Sequence, residues 1–464
     1  MQINELSALD LSHAIRTGLI GVREATEDAL ARAHADRLGA FTHICDERAL
    51  AQADELQKKL NDKDFEPGAL FGVPCPIKDL TQVAGLPMEG GSVVLRGNVA
   101  TKDDGIVIRL RDAGTVMIGK TSTPEFGLPC YTEPEGQPPA ATPFDPDRGA
   151  GGSSGGAAAA VASGVVAIAH GSDGGGSIRI PAASCGLVGL KASRGRVSKG
   201  PLAVDGPGLA SDGVLTRTVR DTAAALDVLA VGWPGDPYPA PPNPEGTYMA
   251  AADQRVQKLR VGVLTTPVIA DDAPVHPGAL AAVEKTVAIL GELGHEIVEA
   301  PKPFDAEAWD AFAAIWAVGS LGAPVPEEAE DQLRPLTRWL RERGRTFSGQ
   351  AHAQALLAAQ SVTRRTAELW DPFDIILTPT LAQPPARHGS LRNDDDPAGD
   401  FAAQTRFTPW TSIYNLTGRP AISLPVHEQE VDGVLLPFGA MLGARMHEDA
   451  LLIAVAAKAE EGYL

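Results

Sequence analysis

The sequence predicts an α/β sandwich built around a mixed sheet. Stretches of helix-forming residues alternate with short apolar runs of strand length, and Gly and Pro break those runs apart. The same texture resumes unchanged after the Pro-rich stretch from Trp233 to Pro244, which therefore reads as a surface loop within one domain in preference to a linker.

The elements follow in order. Residues 5 to about 60 read as helical; Val22-Arg23-Glu24-Ala25-Thr26-Glu27-Asp28-Ala29-Leu30 puts acidic residues early and good helix formers after them. From Phe71 short apolar runs take over. Val107-Ile108-Arg109-Leu110 leads to Gly114, and Thr115-Val116-Met117-Ile118 then reads as a buried strand. A helix is expected over Ala157 to Ser163 and a strand over Val165 to Ala169. Further strands are expected at Leu259 to Val263, His295 to Val298, Asp374 to Leu377 and Ala421 to Leu424, with a helix from Gly278 to Leu293. Asp394-Asp395-Asp396 reads as a solvated loop, and no internal repeat is present.

Composition narrows the function classes. A chain of 464 residues, 44% hydrophobic and 21% charged, belongs with ordinary globular proteins. Its net charge of −19 argues against a surface that tracks nucleic-acid phosphates or anionic membranes, and is silent on reaction type. Cys45, Cys75, Cys130 and Cys185 form neither a CxxC pair nor a zinc-like cluster, so they read as buried thiols in a reducing compartment, with no metal site. The N-terminus lacks a basic then apolar signal pattern, and the longest apolar run, Ala157 to Ala162, is too short to span a bilayer. A cytoplasmic location is expected.

The most informative stretch is Gly151-Gly152-Ser153-Ser154-Gly155-Gly156, followed by Asp173-Gly174-Gly175-Gly176-Ser177-Ile178-Arg179. Glycine lets the backbone adopt shapes other residues avoid, so a serine there can present its hydroxyl while N–H groups aim at the same spot. Acyl transfer needs that combination of nucleophile and oxyanion hole.

Two patterns compete. Gly114-Thr115-Val116-Met117-Ile118-Gly119-Lys120-Thr121 fits a P-loop, but its centre is strand-like and Pro124 arrives where the helix should run. Gly151-Gly152-Ser153-Ser154-Gly155 fits a nucleophile elbow, although Thr142 to Arg148 before it reads as a loop where a strand is required. A Ser-His-Asp hydrolase using Ser153 would draw on His276, His295, His352, His388, His427 or His447, none in a distinctive context. It stands as the alternative chemistry. Lys78, after the proline-stiffened Gly72-Val73-Pro74-Cys75-Pro76-Ile77, reads by default as structural, although a lysine buried beside hydroxyls can act as a base.

Together these pieces resemble the amidase signature family. Ser177-Ile178-Arg179-Ile180-Pro181 supplies its Ser-Ile-Arg-x-Pro ending, and the spacings of 75 from Lys78 to Ser153 and 24 from Ser153 to Ser177 are similar to the family's. Further matches are Ile118-Gly119-Lys120-Thr121-Ser122-Thr123-Pro124-Glu125-Phe126-Gly127, Cys185-Gly186-Leu187-Val188-Gly189-Leu190-Lys191, Thr216-Arg217-Thr218-Val219-Arg220-Asp221, Leu377-Thr378-Pro379-Thr380 and Asn415-Leu416-Thr417-Gly418-Arg419-Pro420-Ala421. Gly174 stands where Ile or Thr is commoner, and Ala192 where proline is usual.

The resemblance implies an α/β/α sandwich with a large mixed central β-sheet, formed by one domain over 1–464. Its parts would be a mainly helical stretch at 1–65, a core carrying the triad at 70–225, and the remaining sheet and substrate-lining segments at 226–464. It implies hydrolysis of a carboxylic amide with Ser177 as nucleophile, Ser153 as bridging serine on a cis Gly152–Ser153 peptide, and Lys78 as base. The N–H groups of Gly174, Gly175, Gly176 and Ser177 would form the oxyanion hole. The pocket would draw on Cys130, Tyr131, Trp316, Trp410 and Tyr414, which favour an apolar or aryl group. No metal or organic cofactor is implied. The local texture resembles bacterial amidases acting on aryl amides, nylon oligomers and carbamates. The expected partner is a small amide or carbamate, with a homodimer left open. The A subunit of a glutamyl-tRNA amidotransferase, sharing the same core, is the second function class.

Overall fold

In the computed structural model, which describes residues 2–204, 206–242 and 246–463, the centre is an eight-stranded sheet. Its order across the sheet is Glu296–Glu299, Arg260–Val263, Ile375–Pro379, Val434–Ala444, Ala421–Val431, Val188–Lys191, Ser211–Thr216 and Ile168–Asp173. The first three strands run parallel and the remaining pairings are antiparallel, so the sheet is mixed.

Side chains alternate across a strand, so each strand feeds two cores. Ile375, Leu377, Ile422, Leu424, Ala440 and Leu442 join one apolar cluster, packed with helices Val219–Leu229, Pro277–Glu292 and Asp449–Tyr463. Ile376, Ala421 and Met441 point the other way, into a cluster with helices Asp310–Ser320, Gly349–Trp370 and Ser412–Thr417. Helices thus cover both faces, the α/β/α arrangement expected.

A second, three-stranded sheet joins Phe41–Ile44, Gly119–Thr121 and Ile77–Lys78. It meets the edge of the large sheet where His170 N–H donates to Pro76 O at 3.0 Å. That junction brings Lys78 beside the strand ending at Asp173. Helix Gly155–Ala162 lies between, almost wholly alanine and glycine, because it is buried on every side.

Several expectations need correction. The helical N-terminal region holds helices Ala8–Arg16, Val22–Ala35 and Asp46–Leu60, but strand Phe41–Ile44 interrupts it, where aromatic and β-branched residues fit a pleated surface. Thr115 to Ile118 makes one bridge, Pro74 with Val116, and the strand proper is Gly119–Thr121. Thr142 to Arg148 is a hairpin rather than a loop: Ala141–Thr142 pairs with Asp145–Gly149, a strand without apolar alternation because much of it faces solvent. The stretch from Trp233 folds back on the body. Arg109 covers the Trp233 ring at 4.4 Å, and Ser198 Oγ donates to Asp236 at 2.6 Å. Residues 243 and 244 of that stretch lie outside the described residues. Among the described residues no helix is long and apolar enough to cross a membrane.

Candidate active site

Two glycine-rich turns and one short strand converge at the junction of the two sheets. Strand Ile77–Lys78 supplies a lysine that is 0% exposed. Its Nζ lies within hydrogen-bond distance of four oxygens: Ser153 Oγ at 2.8 Å, Ser154 Oγ at 2.9 Å, Ser172 Oγ at 3.1 Å and Ser172 O at 3.3 Å. All four partners are neutral oxygens. Burial therefore dominates and brings the Lys78 ammonium down to about 7, the nearby carboxylates of Asp212 and Asp173 only partly opposing it. The Gly152–Ser153 peptide is cis.

Ser177 opens the turn into helix Arg179–Ser184 and is 7% exposed. Its Oγ makes no hydrogen bond to another described residue and lines a narrow pocket that opens to solvent. Gly174 and Gly175 N–H, and that of Ser177 itself, also find no protein acceptor among the described residues. Gly176 differs from the expectation: its N–H donates to Asp173 Oδ1 at 2.8 Å, so three of the four amides stay available to a ligand. Gly176 also has φ +131°, and a Cβ there would lie 2.6 Å from Thr411 Oγ1, so only glycine fits.

A buried clamp holds this turn. Arg179 Nε and Nη2 each donate to Asp173 at 2.9 Å, and Nη2 also donates to Asn415 Oδ1 at 2.8 Å. Asn415 Nδ2 donates to Asp173 O at 2.9 Å, while Thr411 Oγ1 donates to Gly175 O at 2.8 Å. Burial alone would raise the Asp173 carboxyl, but Arg179 and Asn415 outweigh it and hold the group well below the usual carboxylate range. Arg179 and Asn415 each stand in a sequence motif, but nothing local in either motif says that they meet.

The pocket wall is aromatic. On helix Asp310–Ser320 and the turn before it, Trp309 stacks on Phe312 at 5.2 Å and Phe312 on Trp316 at 5.4 Å. Phe401, Ile269, Leu128 and Cys130 complete much of the wall, and none of the lining side chains carries a charge. Trp316 closes directly on the turn: a Cβ at Gly174 would lie 3.2 Å from its ring, so the bare glycine makes room for the indole. Burial pushes the Cys130 thiol up, which keeps it protonated.

Of the expected pocket residues, only Cys130 and Trp316 line this cavity. Tyr131 lines a smaller neighbouring pocket and donates to Asp400 at 2.7 Å. Trp410 is core, its Nε1 donating to Thr266 O at 2.9 Å. Tyr414 is core as well, under the Arg179 guanidinium at 5.6 Å. Both sit beside pocket residues in sequence, but their side chains point into the layer beneath. Trp309 and Phe312 were missed; their spacing with Trp316 on one helix face was the available signal.

The competing patterns also resolve in space. Lys120 Nζ donates to Asp79 Oδ1 at 2.8 Å and to Thr81 O and Pro87 O at 2.9 and 3.0 Å, tying a strand to a loop. A strand does precede the Ser153 turn, yet the partner of Ser153 Oγ is Lys78, and no histidine hydrogen-bonds Ser153 or Ser177 among the described residues. Nor do the described residues hold any group of three or more His, Cys, Asp or Glu placed to bind a metal.

The sequence profile of the Amidase family matches residues 24–453. A Synechocystis sp. protein named "Putative amidase" is 36% identical over 469 residues, covering 98% of this chain and 88% of its own length. Among solved structures, a 6-aminohexanoate cyclic dimer hydrolase complexed with substrate superposes with TM-score 0.91 at 30% identity, covering 100% of this chain and 98% of that one. A bacterial aryl acylamidase superposes with TM-score 0.87 at 27% identity, covering 98% and 96%.

Proposed function

The chain belongs to the amidase family and is an amide-bond hydrolase, and we propose that it works through an acyl-enzyme on Ser177 with Ser153 and Lys78 relaying protons. The observation that carries this reading is the 2.8 Å contact between a fully buried Lys78 and Ser153. Neutral Lys78 takes the Ser153 proton as Ser153 takes that of Ser177. Ser177 Oγ bonds to the carbonyl carbon, and the oxyanion lies against the free N–H groups of Gly174, Gly175 and Ser177. The C–N bond breaks as the relay returns the proton to the leaving nitrogen. Water then attacks the acyl-enzyme by the same relay and releases the acid.

The substrate is an uncharged amide whose apolar or aryl group lies against Trp309, Phe312 and Trp316, with Cys130 opposite. Anilides, carbamates and esters suit the same acyl-enzyme chemistry. The aromatic wall supports this class, as do the aryl acylamidase and cyclic dimer hydrolase similar to this chain. Glutamine, which an amidotransferase A subunit would hydrolyse, carries a charge of each sign beside its reacting arm. Those charges would be buried unpaired in a lining with none. One apolar cluster running from Ala8 to Ala459 supports residues 1–464 working as a single domain.

Intact mass after treatment with a serine-directed fluorophosphonate, followed by peptide mapping, tests the reading. One adduct on Ser177 is expected. An adduct on Ser153 alone would overturn the assignment.

A further inference from the structure

The backbone of Lys78 is held by a buried row of titratable groups that the proton relay does not use. Lys78 N–H donates to His170 Nδ1 at 3.3 Å. The ring is 0% exposed, and its Nε2 lies 3.5 Å from Asp212 Oδ1, close enough for charge to be felt but without a formed hydrogen bond. Accepting at Nδ1 places the ring hydrogen on Nε2, toward Asp212. Asp212 Oδ2 in turn receives Lys199 Nζ at 3.0 Å, at the edge of solvent. In the register of strands Ile168–Asp173 and Ser211–Thr216, His170 lies opposite Val214 and Asp212 opposite Ser172, so His170 and Asp212 are diagonal neighbours at the edge of the large sheet.

We propose that His170 and Asp212 are positioning residues for Lys78, and that the Asp212–Lys199 ion pair tunes the charge around its ammonium. The proposal rests on Lys78 being the base. The charged and titratable groups acting on Lys78 are Asp212, Asp173 and Lys199, with His170 in contact and Asp104 coupled to the row. Asp173 is committed to Arg179, so its influence stays constant when the row is changed. Burial holds His170 below its usual range, hence neutral, and the Asp212 carboxylate favours the charged form of Lys78 while Lys199 disfavours it. Asp212 stays ionised: burial would raise it, but Lys199 and His170 draw it below the usual range.

The row makes a prediction that simple loss of packing does not. Asp212→Asn and Lys199→Met break the same ion pair yet should move Lys78 in opposite directions. The readout is the rate of Ser177 labelling by a fluorophosphonate against pH, on the full-length chain. Asp212→Asn is expected to move the acid limb to lower pH by about one unit. Lys199→Met is expected to move it to higher pH, and Asp212→Glu, which keeps the charge, to leave it close to wild type. Shifts in the same direction, or none in either variant, would overturn the proposal. If Asp212→Asn does not fold, Lys199→Met and Asp212→Glu still decide, because an unmoved limb in Lys199→Met refutes the tuning. Lys78→Met separates the two levels. An acid limb surviving in its residual labelling removes the base assignment itself, whereas its loss with unmoved limbs in the row variants removes only the row.

Discussion

Lys78 Nζ lies 2.8 Å from Ser153 Oγ with no carboxylate among its hydrogen-bond partners, while Lys120, on the neighbouring strand, lies 2.8 Å from Asp79 Oδ1. Both lysines are fully buried, and burial lowers the proton affinity of each. The partner separates their roles. A carboxylate favours the ammonium and makes Lys120 a tie between strand and loop; hydroxyls accept a bond from Lys78 but cannot neutralise it.

The two serines should separate by what their loss leaves behind. In the proposed mechanism Ser177 carries the acyl group, so Ser177→Ala is expected to abolish both fluorophosphonate labelling and turnover. Ser153→Ala leaves the nucleophile in place, and water partly bridges the relay. Its kcat is expected to fall by about 10²–10⁴, the range for losing a positioned acid–base group. Single-turnover kinetics on an anilide distinguishes the two.

Activity should rise with pH through about 7, because the proposed relay needs Lys78 neutral and its ammonium is brought down to about 7 by burial. The expected kcat/KM profile has an acid limb near that pH. A limb at or below pH 5 would assign the titration to a carboxylate instead.

The same burial carries a cost in stability. Unfolded, Lys78 would hold its proton up to its ordinary value of 10.5, whereas folded it releases it at about 7. Between those values the unfolded state binds the extra proton, so wild-type stability rises with pH. Lys78→Met is therefore expected to lose most turnover, keeping only slow residual labelling, yet to melt higher than wild type at pH 7.5, with the gap narrowing toward pH 10. Differential scanning calorimetry at the two pH values measures it.

Trp316→Ala opens the aromatic wall of the cavity. Loss of one stacked partner is worth about 0.5–1.5 kcal/mol, so KM for an aryl amide should rise about 2- to 12-fold. Turnover of small aliphatic amides should change little. Equal losses on both substrates would mean that the indole supports the turn rather than the ligand.

Asn415→Ala removes donors to Asp173 and an acceptor for Arg179 in a fully buried site. Leaving such groups unpaired costs about 1–3 kcal/mol, and the turn bearing Gly174 to Ser177 loosens with it. A lower melting temperature together with slower Ser177 labelling is expected. Asn415→Asp, which sets a second carboxylate against Asp173, should be worse than alanine.

Much of the fold was legible because strand and helix are written locally. Ile375–Pro379 and Pro277–Glu292 fall close to the runs that apolar periodicity marked. Strand Asp145–Gly149 was not legible, since it is short, exposed and held by pairing with Ala141–Thr142 rather than by its own pattern. At the site, the glycine-serine turns stood out for their composition. The pocket aromatics did not, because Trp316 and Trp410 look alike in sequence; one faces the cavity and the other sends its Nε1 to Thr266 O.

What the sequence alone determined is the chemistry on offer: two serines in glycine turns, a lysine on a stiff segment, and an alternation that commits the chain to layered helices and sheet. Backbone conformation is set over a few residues, so these features survive being read in isolation. The tertiary structure alone decided which buried lysine meets hydroxyls and which meets a carboxylate, which amide N–H stays free, and which aromatics reach the cavity. Those outcomes depend on residues such as Lys78 and Ser153, or Arg179 and Asn415, meeting across strand registers that local pattern does not encode.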